Sequence, residues 1–442
     1  MNETITLPAR EVPVTENCDV LVVGCGSSGI GAALAAARNG AKTSLIAADF
    51  GGVIGMPLLL TKFHDGAGRR IVGGIIYEIA QELLRQGGLG VGQECLEDFA
   101  ERIDWIGYDG EKLKMIVLEK LLLAGVKLHF HTQVSDVLMD QNRCTGCVTL
   151  CKTTRRAIRA KVTIDCTGDG DVLTLAGVPM EYGRKSDNKA QPASMLFSMA
   201  NVDLNRYVED REKIGDAWDR YAVTHPVLNP LRGSKIALQW QVPGRSGEVF
   251  FNATRILNVN PTNPDNWTAS EVLGRKMVME LVTFYREHVP GFEKAYLAKC
   301  ASCLGIRESR RMVGEYVLTS EDIMSYRKFE DSIACNSYPI DIHSPDDGST
   351  YFPEKEWVPG RYYTIPYRSL VPQKVDGLLA AGRMISATHE AQAAIRVMTC
   401  TMSTGQAAGT AAALSVKEKC LPRQLDVGKL QTHLINQKVI VR

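Results

Sequence analysis

The chain has 442 residues, 45% of them hydrophobic, with 51 basic and 50 acidic side chains. That length can bury a large core in two or three domains. Near-neutrality excludes a broad field for nucleic acid or an anionic membrane, so a small anionic ligand would have to be met by a local cluster of arginines. No apolar run approaches the roughly 18 residues of a membrane span, and the N-terminal stretch lacks the basic-then-apolar order of a secretory leader. With 12 cysteines that suit a reducing compartment, the expectation is a cytoplasmic protein without a membrane span.

After an N-terminal arm or short strand, Val20 to Val23 reads as a strand running into Gly24-x-Gly26-x-x-Gly29 and an alanine-rich helix that stops near Gly40. Gly24 permits the tight turn, Gly26 lets backbone approach a pyrophosphate, and Gly29 lets the helix lie close to the strand; Ser28 sits inside the same loop. The helix N-terminus offers free N–H groups and a positive dipole end to two phosphates. Lys42 to Ile46 closes a βαβ unit. The acidic residue that normally takes the ribose hydroxyls about 20 positions on is missing; either Asp49 does this late, or water and backbone do.

Next comes a glycine-rich loop, Phe50-Gly51-Gly52, followed by His64-Asp65, a local acid/base pair. Helices are predicted at Ile75 to Gln86 and Glu111 to Leu123, and strands at Lys127 to His131, Gln133 to Met139, Cys147 to Cys151 and Ala157 to Ile164. The strands end at Asp165-Cys-Thr-Gly-Asp-Gly-Asp171. From about 181 to 360 the texture changes: paired strands around Gly244 to Gly247, a long helix Ser270 to His288, and a loop over Asp341 to Gly360. The last part returns to a strand, Gly377 to Arg383, and a small-residue helix, Thr401 to Val416. Neither Cys144/Cys147/Cys151 nor Cys300/Cys303 has histidines at ligand spacing, and no metal site is expected; a redox disulfide at Cys300/Cys303 is a separate reading.

The opening fingerprint, the Asp165 to Asp171 segment and Gly382-Arg383 with its helix resemble two-domain FAD flavoproteins of the glutathione-reductase type. Gly305-Ile-Arg-Glu-Ser-Arg-Arg311, Tyr362 to Pro372 and Ala380 to Arg396 are similar to the FAD-dependent oxidoreductase family, distantly akin to fumarate reductase flavoproteins. The resemblance covers nearly the whole chain. It implies an α/β fold: a Rossmann-like FAD-binding domain split in sequence (residues 18–180 and 361–442) around an inserted α+β substrate or cap domain (181–360). It implies that Gly24, Gly26 and Gly29 face the pyrophosphate, Val134 offers backbone to adenine, and Thr167 and Gly168 lie on the adenosine side. Gly382 and Arg383 would meet the ribityl and phosphate region. The turn through Met398, Thr401 and Met402 would bring N–H groups to the flavin N1/O2 edge, where helix dipoles stabilise the reduced anion.

No covalent attachment motif is evident, so the FAD is expected to be non-covalent. Flavin carries the hydride chemistry while the protein places substrate and supplies protons. No second dinucleotide fingerprint occurs; either NAD(P)H docks transiently on the flavin face or another protein delivers electrons. Arginine forks suit a carboxylate, and a histidine poised by an acid suits proton transfer. The catalytic candidates are His389 beside Glu390, Arg307, Arg396, His64 and Tyr363. Arg307, Arg310 and Arg311 are either carboxylate-binding forks or structural ion-pair partners of Glu308 and Glu315, and Arg368 reads as structural. The first functional reading is an FAD-dependent oxidoreductase exchanging a hydride with a small polar, carboxylate-bearing molecule. The alternative is a non-redox FAD-binding or electron-carrier module within a complex.

Overall fold

The computed structural model describes residues 4–50, 52–90, 105–207, 211–225, 227, 240–351 and 358–442. Its larger core is built on parallel strands. β1 (Val14–Val23) pairs on one side with β2 (Thr43–Ile46), which pairs in turn with an edge strand, Lys127–His129. On the other side β1 pairs with a long strand, Thr154–Asp165, and that strand also receives Leu378–Ala380 from near the C-terminus, in parallel. Apolar residues fill the β1 centre: Val20, Leu21, Val22 and Val23 are all buried in the middle of the sheet, between β2 and the long strand Thr154–Asp165.

The remaining strands are numbered by their place in the chain: β3 (Leu58–Thr61), β4 (Trp105–Tyr108), β5 (Lys127–His129), β6 (Gln133–Asp140), β7 (Arg143–Cys151) and β8 (Thr154–Asp165). The first half of β8 forms an antiparallel meander with β7 and β6, while its second half stays in the parallel sheet. β8 therefore belongs to both layers. Cys144 and Cys147 are buried within this meander, and among the described residues no group of three or more His, Cys, Asp or Glu is set to hold a metal.

Helix α1 (Ser27–Arg38) follows the glycine loop; α2 (Gly74–Arg85) and α3 (Gly110–Leu123) pack beyond it. Gly24 has φ +103°, and a Cβ there would fall 2.4 Å from the Cys166 carbonyl oxygen, so the turn accepts only glycine. α3 starts cleanly because the Asp109 carboxylate accepts from the N–H groups of Glu111 and Lys112.

A second, smaller core lies in the middle of the chain. Strands β9 (Met180–Tyr182), β10 (Phe197–Ala200), β11 (Trp240–Gln241), β12 (Val249–Phe251) and β13 (Tyr296–Cys300) come in this order, and β11-β12-β10-β13 form an antiparallel sheet. A long helix, Pro264–His288, covers it with Met277, Leu281, Phe284 and Tyr285. The Phe197 and Phe251 rings stack at 4.7 Å inside. This core runs from Ala193 to Leu304 with Met56 added. Leu318, Ile323, Phe329, Ile333 and Ile340, which sequence places in the insertion, pack into the larger core instead. The stretch from Asp341, read as loop, holds a small hairpin, Ile342–His343 with Thr350–Tyr351.

Two helices complete the frame, His389–Ile395 and Met398–Glu418. The second lies against α1 through small residues: a Cβ on Gly405 would stand 2.0 Å from the Ser28 carbonyl oxygen, and one on Gly409 2.1 Å from that of Ala32. The two glycine-led corners therefore share one end of the sheet. Among the described residues no helix is long and apolar enough to cross a membrane.

Candidate active site

At the C-terminal edge of the sheet two helix N-termini meet. The α1 N-cap is Gly26 and that of the Met398–Glu418 helix is Val397; neither has a side-chain cap. Their first N–H groups lack intrahelical partners, and the two ends are joined by Ser27 Oγ and Thr401 Oγ1, 2.6 Å apart. A Cβ built on Gly26 meets nothing within 4 Å, so open space lies before α1. Gly382, φ +102°, donates its N–H to Thr404 Oγ1 at 3.3 Å and faces the buried Ser28 hydroxyl. Tyr108 O–H reaches Met398 Sδ at 3.3 Å, while Met402 is fully buried with its carbonyl against Gly31. Sequence reading assigned these glycines and helix-end residues to one ligand, and the fold brings them together.

The adenosine-side segment is organised by a buried carboxylate. Asp165, at the end of β8, accepts from Thr167 N–H and O–H and from Leu173 N–H. Burial pushes its pKa up to about 6 despite those donors. Gly168 lies directly against the Arg383 guanidinium. Arg383 pairs with Asp169 at 2.6 Å, yet its buried Nε has no hydrogen-bond partner among the described residues. Val134 sits in the β6–β7 ladder opposite Thr149. Asp49 is exposed just beyond β2, within electrostatic reach of Cys303 from the middle segment. Gly51 lies outside the described residues; Gly52 opens a short 3-10 turn, Gly52–Gly55.

Where the two cores meet, charged side chains are buried. His389 is the first residue of its helix, and its Nδ1 lies 2.8 Å from Glu308. The acid beside this histidine is therefore Glu308, 81 positions upstream, and not the adjacent Glu390. Glu308 is 1% exposed, also accepts from Gln191 N–H, and is paired with Arg311. Arg310 pairs with Asp171 and Arg368 with Asp331, both structural.

Arg307 is different. It is 7% exposed and donates to the Pro192 carbonyl at 2.6 Å and to Asn252 Oδ1 at 3.4 Å. Among the described residues no carboxylate lies within ion-pair distance of it. Arg255 joins it, donating to the Asn252 and Thr254 carbonyls. Arg396 approaches from the end of the His389 helix and reaches Asp341 at 3.5 Å. Burial, then the neighbouring Arg255 and Arg396, hold the Arg307 pKa well below its ordinary value; Arg255 is brought down to about 10, mainly by burial. His343 stands among the three, 3.6 Å from Asp341, and burial with the arginines drives its pKa far down, so it is neutral. Tyr338 O–H donates to Asp341 at 2.7 Å.

Sequence reading found Arg307, Arg396 and His389 but missed Arg255, Tyr338, Asp341 and His343. Arg255 follows a short strand without a motif. The Asp341-Ile-His343 alternation was the one available signal, and it lay in a stretch read as loop. The fold gives the other two candidates different work. Tyr363 O–H, fully buried, is engaged by the carbonyls of Tyr338 and Ala394 and by the Asn336 amide, bracing the site from behind. Asp65 is committed to the Ala67 and Arg69 N–H groups and the Arg69 side chain, and His64 Nδ1 accepts from Gly66 N–H, so this pair shapes its own turn.

The profile of the FAD dependent oxidoreductase family matches residues 19–434. No protein of curated function matches the sequence significantly. Among solved structures, Aquifex aeolicus GidA is similar at TM-score 0.50 and 15% identity, covering 92% of this chain and 64% of that one. A geranylgeranyl bacteriochlorophyll reductase-like protein from Thermoplasma acidophilum is similar at TM-score 0.43 and 16% identity, over 96% of this chain and 84% of that one. The p-nitrophenol 4-monooxygenase PnpA from Pseudomonas putida follows at TM-score 0.45 and 11% identity, over 92% and 82%.

Proposed function

Because this chain belongs to the FAD-dependent oxidoreductase family, matched from residue 19 to 434, we propose that it exchanges a hydride between its flavin and a small polar, carboxylate-bearing organic molecule. It is an FAD-dependent oxidoreductase; the substrate class is the added step. The single observation that carries that step is Arg307, a guanidinium buried at the seam of the two cores with no carboxylate in ion-pair contact among the described residues. An unpaired buried charge costs several kcal/mol, on the order of what a paired carboxylate returns.

The residues present fit FAD. Two uncapped helix ends, the open space before Gly26 and the unpartnered Arg383 Nε supply donors for a pyrophosphate and an anionic ring edge. Gly24, Gly26, Ser28 and Gly29 would hold the pyrophosphate, Thr167, Gly168 and Arg383 its adenosine-side flank, and the N-terminus at Met398 the flavin. When bound, FAD supplies the two-electron exchange. Arg307, with Arg255 and Arg396, binds and orients the substrate carboxylate. Glu308 fixes His389 by its Nδ1, so Nε2 is the atom left to hold or move a proton. Burial of the seam excludes water.

The test is an anaerobic titration of purified holoenzyme with saturated, hydroxy, oxo and unsaturated acids and with NAD(P)H, followed at the flavin bands. Bleaching by an acid, or reoxidation of the reduced enzyme by one, is expected. Arg307→Gln should lower kcat/KM by about 30- to 1000-fold, mostly through KM, matching a loss of about 2–4 kcal/mol. Flavin that responds to no acid overturns the reading.

A further inference from the structure

The arginine cluster carries more charge than one carboxylate balances. We propose that the ligand held there is doubly anionic, carrying two negative charges within reach of Arg255, Arg307 and Arg396. This rests on the carboxylate reading above and narrows it.

The groups facing the cluster can be followed element by element. Arg255 comes from the segment after β12, Arg307 from the loop after β13, and Arg396 from the cap of the His389 helix. Arg255 and Arg307 converge on one residue, Asn252, taking its carbonyl and its side-chain oxygen. Arg396 reaches the cluster through the carbonyl and carboxylate of Asp341. Asp341 is the one carboxylate on these arginines among the described residues, and its contact with Arg396 is long.

The other titratable neighbours add no negative charge. Tyr338 is buried, donates to Asp341 and stays protonated. The His343 ring, between Thr350 and Asp341, stays neutral. Glu308 is already matched by Arg311 and His389. Among the described residues three guanidinium groups therefore stand against one carboxylate, leaving a surplus of two positive charges.

Two buried atoms mark where a ligand would complete the network. Among the described residues Arg396 Nε has no acceptor and Asp341 Oδ1 has no donor. Buried polar groups are rarely left in that state without a partner from outside the chain. A donor on the ligand beside its anionic groups, such as a hydroxyl, suits Asp341 Oδ1, while an anionic oxygen suits Arg396 Nε. The two charges fit either a dicarboxylic acid or a phosphorylated hydroxy acid.

The experiment uses wild-type holoenzyme. Dissociation constants are measured by calorimetry and by perturbation of the flavin spectrum. Succinate and glutarate are compared with butanoate and pentanoate, and 2-phosphoglycolate with glycolate. At least one dianion should bind about tenfold or more tighter than the monoanion of matching skeleton, and the tighter pair names the source of the second charge. Arg255→Gln, checked for retained FAD and fold, should weaken dianions far more than monoanions and shrink the ratio between them to below about threefold. Equal affinity for monoanions and dianions overturns this inference and leaves the carboxylate reading standing. Failure of every acid to bind overturns both.

Discussion

Gly405→Ala tests whether the two distant corners act as one cofactor cradle. The added Cβ would lie 2.0 Å from the Ser28 carbonyl oxygen and 2.9 Å from its Cα. A relaxed carbon–oxygen contact is roughly 3.3 Å, so the helices must separate by about 1.3 Å or shift along one another. Overpacking of this kind costs about 1–3 kcal/mol. The strain falls one turn from the Ser27–Thr401 bridge and next to Thr404, which accepts the Gly382 N–H. If half of it appears at the cofactor, FAD affinity drops about 2- to 12-fold, at about 1.4 kcal/mol per decade. Gly409→Ala is the control. Its Cβ would meet the Ala32 oxygen at 2.1 Å, an equal clash one turn further from the helix ends. Both variants should melt earlier, but Gly405→Ala should lose more FAD affinity, read by flavin fluorescence on titration of apoprotein. If Gly405→Ala binds FAD as tightly as Gly409→Ala does, the two helix ends do not share the cofactor and the reasoning fails.

Other outcomes follow from buried charge. Asp165 has a folded pKa of about 6, above its unfolded value, so the native state binds the extra proton and stability falls as pH rises through about 4 to 6. For a fully buried group this amounts to roughly 3 kcal/mol; chemical denaturation of apoprotein across that window should show the slope, and Asp165→Asn should flatten it whatever its absolute stability. Glu308→Ala leaves Arg311 and His389 without their shared carboxylate and should cost about 3–5 kcal/mol in urea unfolding; a loss under about 1 kcal/mol would show that Glu308 does not anchor the pair. The Cys300 and Cys303 thiols are held protonated by burial, so replacing both by serine should leave turnover unchanged, and lost turnover would revive a thiol mechanism.

The residues grouped at the two helix ends were legible because their patterns are local. Gly24, Gly26 and Gly29 sit within one turn, and Gly382 and the small-residue helix each carry their own pattern of close backbone approach. The buried charged cluster was legible only in part. Arg307 and His389 stood in recognisable segments, but the acid on His389 comes from Glu308, which no spacing rule connects to it. Arg255 and Asp341 gain their meaning from convergence across two cores, and a lone charged residue gives no periodic signal. The Leu318–Ile340 segment was assigned to the insertion by texture; its apolar side chains pack into the other core because β-pairing of Ser332–Asn336 with Tyr363–Pro366 draws it there.

The Ser27–Thr401 bridge joins residues 374 positions apart. At about 5–20 residues per second, a ribosome takes roughly 20–75 s to make the second after the first. From completion of Asp165 to Leu378, roughly 11–43 s at the same rate, the β8 edge that later receives Leu378–Ala380 has no neighbour, and the emerging polypeptide must avoid sticking to others through it. A chain cut short before Leu378 would keep that edge open and should clump more readily than the full-length chain.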